Sequence, residues 1–330
     1  MFNPPLVTVI MPVYNTEPYI ADAIGSILNQ TLSNLELICI DDGSTDQSRV
    51  ICDEYAANDG RVTVISQRNS GQGHARNKAL KLTRGKYVYF MDSDDILLPE
   101  ALEVICSEMI ENKLDLLFFE AHSFGEVKNA GNYRRKCSYD EVYPGPDLAN
   151  LLLNNNEFIV SPCLYVASAD LYRANDIQFL EERVKHEDDI FTILTLLHAE
   201  RVSCTHRDLY ARRYRAGSTM TSFDPISSTI GAFKTYSELL RRRESSDTNS
   251  PLRSLATEKF LSRCKGETVR HFSHCNIPPN RFAETVGCRD AIERQATDEV
   301  IQAISDMGIR FPIERYLRLI KHKLIRSLQR

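Results

Sequence analysis

The first 120 residues of the chain alternate short apolar runs with amphipathic stretches. The spacing predicts strands over residues 6–13, 35–40, 62–65, 87–91 and 114–119, separated by helices over 18–28, 44–57, 73–82 and 99–111. Strands that alternate with helices are joined by right-handed crossovers, which place the strands side by side in a parallel arrangement. We therefore predict an α/β fold, with a Rossmann-like, mainly parallel sheet flanked by helices. Ligands of such sheets bind beyond the carboxyl ends of the strands.

The remainder of the chain departs from this alternation. Residues 121–185 are irregular and rich in Gly, Asn and Pro, as expected of an insertion that shapes an acceptor site. After residue 222 the spacing predicts helices over 226–243, 252–272, 280–307 and 314–328. Acidic residues are in excess before residue 225 and basic residues after it. In a chain of 330 residues, this division predicts two domains, 1–222 and 223–330.

Composition excludes several classes of protein. An apolar fraction of 42% and a charged fraction of 26% are typical of a globular protein and argue against a disordered chain or a coiled coil. No apolar run approaches the roughly 18–20 residues that a membrane-spanning helix needs, and no leader pattern opens the chain, so we expect a cytoplasmic protein. The nine cysteines include no Cys-x-x-Cys pair, which predicts reduced thiols rather than a disulfide framework or a thiolate zinc site.

Polar residues follow the first two predicted strands where each strand ends. Tyr14 follows the first strand, and Asp41 and Asp42 close the second. Adjacent strand ends of this kind place an aromatic ring and a carboxylate within reach of one flat heterocycle, such as a nucleobase. Asp-Asp-Gly-Ser is also an ordinary turn followed by a helix cap, and on this motif alone the turn is the commoner interpretation. Neither a Gly-x-Gly-x-x-Gly fingerprint nor a P-loop is present.

The fourth predicted strand leads into three carboxylates, Asp92, Asp94 and Asp95, with Ser93 between them. Like charges packed this closely are costly unless a cation neutralises them. Hard oxygen ligands suit Mg²⁺ or Mn²⁺, which would bridge to a diphosphate. The alternative is an acidic turn that caps the helix beginning near residue 99.

Four motifs occur in order at the expected strand ends. They are Pro12-Val13-Tyr14-Asn15, Asp41-Asp42-Gly43-Ser44, Gly73-His74-Ala75-Arg76-Asn77 and Asp92-Ser93-Asp94-Asp95. In this order they resemble the family-2 glycosyltransferases with the GT-A fold, over about residues 6–220. The resemblance implies a nucleotide-sugar donor, a divalent metal (Mn²⁺ or Mg²⁺) and inversion at the anomeric carbon.

The resemblance also implies residue roles. Tyr14 would stack near uracil, Asp41 or Asp42 would hold the base, Asp92 would bind ribose, and Asp94 would bind the metal. Arg76 would lie near the base and the diphosphate. The full donor-binding set expected is Pro12, Tyr14, Asp41, Asp42, Asn69, Gly73, Arg76, Asp92, Ser93, Arg213, Arg215 and Ser218.

Two later segments complete the expected site. By the same resemblance, Glu187-Asp188 supplies the catalytic base, Asp188, with Glu187 as its neighbour in contact with the acceptor. The chemistry needs one carboxylate to take a proton from the acceptor hydroxyl as its oxygen attacks C1. An acidic pair at a helix N-terminus would otherwise serve the helix dipole. Residues 212–219 are rich in arginine, and a guanidinium fork there can stabilise a departing diphosphate.

The C-terminal helix predicted over 314–328 carries an apolar stripe between basic side chains. Such a helix can lie on an anionic membrane surface at the inner face of the plasma membrane, or its stripe can pack on protein, including a second subunit of a homo-oligomer. No nucleic-acid partner is expected. The function expected is metal-dependent, inverting transfer of a hexose or N-acetylhexosamine from a UDP-sugar to a saccharide or lipid-linked oligosaccharide in surface polysaccharide synthesis. The alternative is a nucleotide-sugar-binding protein without turnover.

Overall fold

A computed structural model describes residues 4–125, 133–215, 224–275 and 277–306 of the chain. Within these ranges it contains eight strands: β1 (Val7–Val13), β2 (Leu35–Asp41), β3 (Val62–Ser66), β4 (Tyr87–Phe90), β5 (Ile96–Leu97), β6 (Leu116–Gly125), β7 (Tyr165–Ser168) and β8 (Val202–Tyr214). They form one sheet in the order β3-β2-β1-β4-β7-β6-β8-β5.

The same residues form eleven α-helices. Seven of them accompany the sheet: α1 (Glu17–Leu28), α2 (Ser48–Asn58), α3 (Gln72–Leu80), α4 (Ala101–Glu111), α5 (Gly145–Asn154), α6 (Ala169–Asn175) and α7 (Asp189–His198). The other four follow residue 224: α8 (Pro225–Ser245), α9 (Leu255–Ser273), α10 (Phe282–Val286) and α11 (Ala291–Asp306).

The first half of the sheet is parallel, as the sequence predicts. β1 pairs in parallel with both β2 and β4, and β2 pairs in parallel with β3. All seven residues of β1 and of β2 are buried, which explains their continuous apolar runs. Helix α1 buries its apolar stripe, Ile20, Ala23, Ile24 and Ile27, against the same core. The carboxyl ends of β1, β2 and β4 therefore meet at one edge of the sheet.

The second half of the sheet is mixed. β7 pairs antiparallel with β4 and with β6, β6 pairs in parallel with β8, and β5 pairs antiparallel with β8. β7 and helices α5 and α6 lie inside residues 121–185, where the sequence shows no regular pattern. The predicted α/β class is thus confirmed, with a mixed sheet whose parallel part carries the first motifs of the resemblance.

The described residues form two compact units. Those of the first lie within 4–183, 187–215 and 249–257, and those of the second within 184–186, 224–248 and 258–306. Short segments of each unit fall inside the sequence range of the other. The domains predicted at 1–222 and 223–330 therefore stay a prediction.

The second unit is helical over its described residues. Lys234 of α8 forms a buried ion pair with Glu293 of α11, at 2.5 Å between Nζ and Oε1. One helix predicted over 280–307 is instead two, α10 and α11. The break falls at Gly287, whose φ of +68° is left-handed and ends α10, as glycine does at helix C-termini.

No helix within the described ranges is long and apolar enough to cross a membrane. The helix predicted over 314–328 lies outside those ranges.

Candidate active site

The carboxylates of Asp41 and Asp42 fix the conformation of the turn after β2. Asp41 accepts from the Ser44 backbone N–H and the Ser66 hydroxyl, at 3.1 and 3.0 Å. Asp42 accepts three hydrogen bonds of 2.8–2.9 Å, from Gln67 Nε2 and the backbone N–H groups of Ser70 and Gly71. Both side chains are buried. The turn interpretation of Asp-Asp-Gly-Ser therefore describes much of what these side chains do in this structure, and Asp42 also fixes the loop that leads to α3.

Tyr14 stands at the edge of this turn with its ring in solvent. Tyr14 as a whole is 47% exposed, whereas Pro12 before it is buried within β1. The backbone N–H of Asp42 donates to the Val13 carbonyl at 2.8 Å, which brings the two strand ends together. Asn69 is half-buried in the loop that Asp42 organises. An exposed ring beside this turn offers a face on which a flat heterocycle can stack.

Arg76 is the centre of a buried ionic network. Its guanidinium, 3% exposed, bonds Asp92 Oδ1 at 2.8 Å and Glu187 Oε1 at 3.3 Å, and lies over the Phe179 ring. Burial lowers the pKa of Arg76, but the surrounding acidic groups, with Asp92 the largest contributor, together outweigh it and the net shift is upward. Burial raises the pKa of Glu187 above its usual range, and Arg76 offsets only part of that shift. One cation thus joins the end of β4 to the segment that carries Asp188.

Asp188 comes directly before α7 and is half-buried. Its carbonyl accepts from the Thr192 backbone N–H at 3.0 Å, so its backbone belongs to the first turn of α7. Its neighbour Glu187 is the residue that Arg76 binds. The structure therefore brings Glu187 and Asp92, which are 95 positions apart in the sequence, to one guanidinium.

The acidic turn after β4 separates three carboxylates into different environments. Asp95 accepts from the Tyr210 hydroxyl and the Arg213 backbone N–H, both at 2.6 Å. Burial, reinforced by the charges of Asp92 and Asp94, raises the pKa of Asp95 to about 8. Ser93 is buried and accepts from the Thr16 hydroxyl at 3.1 Å. Asp95 and Ser93 therefore hold the turn in place.

Asp94 faces the end of β8. Its Oδ2 bonds Arg215 Nε at 2.8 Å, and its backbone carbonyl accepts from Arg213 Nε at 2.7 Å. Both guanidinium groups also lie over the Tyr19 ring, 4.8 and 5.3 Å from its centre. Ser218 lies outside the described residues.

The carboxylate of Asp94 supplies hard oxygen atoms, the ligand type that Mg²⁺ and Mn²⁺ prefer. Burial first, and then the charge of Asp92, raise the pKa of Asp94, although Arg215 opposes them. A cation bound at Asp94 would favour its ionised form, which burial and Asp92 disfavour. Among the described residues no group of three His, Cys, Asp or Glu side chains converges on one point. A metal here would therefore take most of its ligands from a bound diphosphate and water, as Mg²⁺ commonly does.

The sequence reasoning missed the face of α3 that carries Asn77 and the segment that begins at Phe179. Asn77 bonds the backbone of Phe179, and both residues are buried. The spacing of Gly73 and Asn77, four positions apart, could have indicated this contact, because it puts both residues on one face of a helix.

Comparison with known proteins identifies the family to which the chain is similar. The family model described as Glycosyl transferase family 2 matches residues 8–173. An uncharacterized glycosyltransferase, EpsJ of Bacillus subtilis, is 33% identical over 220 residues, which are 65% of this chain and 62% of that protein. A poly(ribitol-phosphate) beta-glucosyltransferase of Bacillus spizizenii is 30% identical over 264 residues, 78% of this chain and 40% of that protein. The matched part of this chain thus spans less than two thirds of either relative.

Among solved structures, residues 1–349 of S. aureus TarS in complex with UDP-GlcNAc superpose with a TM-score of 0.67. That match has 24% sequence identity and covers 90% of this chain and 83% of that one, so it supports the fold alone. The family match covers half of the chain, and the relatives it resembles are glycosyltransferases. The chain therefore belongs to glycosyltransferase family 2, with the GT-A fold that its motifs predicted.

Proposed function

We propose that this protein transfers a hexose or N-acetylhexosamine from a UDP-sugar to a saccharide hydroxyl, with inversion, in the assembly of a surface polysaccharide. The observation that carries the proposal is the Arg76 network, because it connects the carboxylate expected at the donor ribose, Asp92, to the Glu187-Asp188 pair. The UDP-GlcNAc bound to TarS and the glucosyl transfer named for the B. spizizenii relative favour this class of donor. A lipid-linked oligosaccharide is the alternative form of the acceptor.

On the donor side, the exposed ring of Tyr14 stacks on uracil at the edge of the Asp41–Asp42 turn. Asp92 binds the ribose, since Arg76 and Gln72 both bond its Oδ1 and fix its orientation. Arg213 and Arg215 supply positive charge beside the diphosphate. Mg²⁺ or Mn²⁺ held by Asp94 would neutralise charge on the leaving UDP.

In the transfer itself, Asp188 accepts the proton of the acceptor hydroxyl while that oxygen attacks C1 of the sugar. The C1–O bond to the diphosphate breaks as the new glycosidic bond forms on the opposite face, which inverts the anomeric configuration. Glu187 contacts the acceptor and keeps its place through Arg76. General-base assistance of this kind contributes about 10²–10⁴-fold to the rate.

The test is a panel of UDP-sugars assayed by UDP release with Mn²⁺ present, on wild type and on Asp188→Asn. We expect a clear donor preference in the wild type. Asp188→Asn should lower turnover by about 10²–10⁴-fold while UDP-sugar binding, measured by calorimetry, persists, because the variant removes only the base.

Asp189→Asn is the matched control, because it removes one negative charge from the same end of α7. Its turnover should stay near that of the wild type. Equal losses in the two variants would indicate an effect of charge at the helix terminus, and loss of UDP-sugar binding in Asp188→Asn would give Asp188 a structural role.

A further inference from the structure

One buried amide on α3 holds the backbone of the segment that leads to Glu187 and Asp188. Asn77 Nδ2 donates to the Phe179 carbonyl at 3.0 Å, and its Oδ1 accepts from the Phe179 backbone N–H at 2.9 Å. Asn77 is 2% exposed. A single side chain therefore satisfies both backbone groups of a buried residue that is 102 positions away.

The neighbouring residues of α3 complete this contact. A Cβ atom at Gly73 would lie 2.0 Å from the Leu180 carbonyl oxygen, so the segment passes directly against the helix. One position before Asn77, the Arg76 guanidinium lies over the Phe179 ring at 5.2 Å and bonds Glu187. Gly73, Arg76 and Asn77 thus form one face that seats the chain from Phe179 onward.

The ring of Phe179 packs between the end of β4 and α7. Its ring stacks on Phe191 of α7, with centroids 3.7 Å apart, and meets Phe90 at the end of β4 edge-on at 5.1 Å. The Leu180 backbone N–H donates to the Glu187 carbonyl at 3.2 Å, which closes residues 180–187 into a loop. A displacement at Phe179 would therefore move the loop, the start of α7 and with them Asp188.

We propose that Asn77 is a positioning residue for sugar transfer: its amide fixes Phe179 and, through the closed loop, sets the place of Asp188 relative to the donor. The inference rests on the proposed function, in which Asp188 is the base. Asn77 contacts no substrate itself. Displacing a reacting group by about 1 Å can cost on the order of 10²-fold in rate, even when the change lies away from the chemistry.

The experiment compares Asn77→Ala and Asn77→Asp with wild type. Asn77→Ala should lower kcat by about 10²-fold, with the KM and Kd for the UDP-sugar unchanged, because the donor site is left in place. Asn77→Asp keeps an acceptor for the Phe179 N–H but loses the donor to the Phe179 carbonyl, so its kcat should fall as well; it also serves if the alanine variant does not fold. Asn58→Ala is the matched control, since Asn58 donates to a helix carbonyl on the exposed surface of α2, and its kcat should equal that of wild type.

A double-mutant cycle with Asp188→Asn separates positioning from general damage. If Asn77 acts through Asp188, Asn77→Ala should have little further effect on kcat once Asp188 is replaced. Additive losses, wild-type kcat in both Asn77 variants, or a parallel loss of UDP-sugar affinity would each overturn the proposal. Full turnover in Asp188→Asn alone would instead refute the proposed base, whatever the Asn77 variants do.

Discussion

The three aspartates that follow β4 show how far residue type alone predicts a role. The sequence predicts that these crowded carboxylates bind a cation. The resemblance assigns the metal to Asp94, of which Arg215 bonds one oxygen, Oδ2, at 2.8 Å. Asp95 does not fit that role, because the Tyr210 hydroxyl and the Arg213 backbone occupy its oxygens. No local pattern indicates this difference, since Tyr210 and Arg213 lie more than 110 positions away along the chain.

The difference between Asp94 and Asp95 provides a matched pair of variants that tests which carboxylate binds the metal. Asp94→Asn should lose Mn²⁺ binding in the presence of UDP, measured by electron paramagnetic resonance, and with it turnover; chelation with EDTA should abolish turnover of the wild type. Asp95→Asn should keep Mn²⁺ binding, because the Tyr210 hydroxyl and the Arg213 backbone N–H already occupy the two oxygens of Asp95. Full activity in EDTA, or equal Mn²⁺ binding by the two variants, would contradict the assignment of Asp94.

At the scale of elements, hydrophobic periodicity predicts the parallel half of the sheet well. β1, β2 and β4 are buried on both faces and read as apolar runs in the sequence. β7 is only four residues long and directly follows the 3₁₀ turn at Pro162–Leu164, so it is too short to show a hydrophobic period in the sequence. Its antiparallel pairing with β4 and β6 depends on contacts between distant segments, which periodicity does not encode.

The packing of α5 on α7 gives a prediction about stability. Gly145 begins α5, and a Cβ atom there would lie 1.7 Å from the Leu196 carbonyl oxygen and 2.7 Å from that of Ala199. Gly145→Ala should therefore lower the free energy of unfolding by about 1–3 kcal/mol, the usual cost of overpacking, in urea titration followed by circular dichroism. Gly60→Ala, where nothing lies within 4 Å of the added atom, should stay within about 0.5 kcal/mol of wild type. Equal losses in both variants would mean that α5 does not approach α7 this closely.

At the scale of the whole molecule, charge is divided along the chain rather than mixed. Acidic residues predominate through residue 224, where the candidate active site lies, and basic residues predominate after it. The basic excess includes six side chains that alternate with an apolar stripe near the end of the chain: Arg315, Arg318, Lys321, Lys323, Arg326 and Arg330. Every residue proposed to take part in the chemistry precedes residue 220. The two parts can therefore be tested separately.

Removal of residues 314–330 should leave transfer to a soluble acceptor analogue nearly unchanged and should weaken sedimentation with anionic vesicles. Each basic side chain near such a surface contributes on the order of 1 kcal/mol, and salt screens this attraction. A full-length variant with glutamine at the six basic positions is the control, because it keeps the apolar stripe. It should lose most of its binding to anionic vesicles and all of the dependence of that binding on salt. If the stripe packs on protein instead, truncation should lower the melting temperature or change the oligomeric state, while vesicle binding of the wild type should be no stronger than that of the truncated chain.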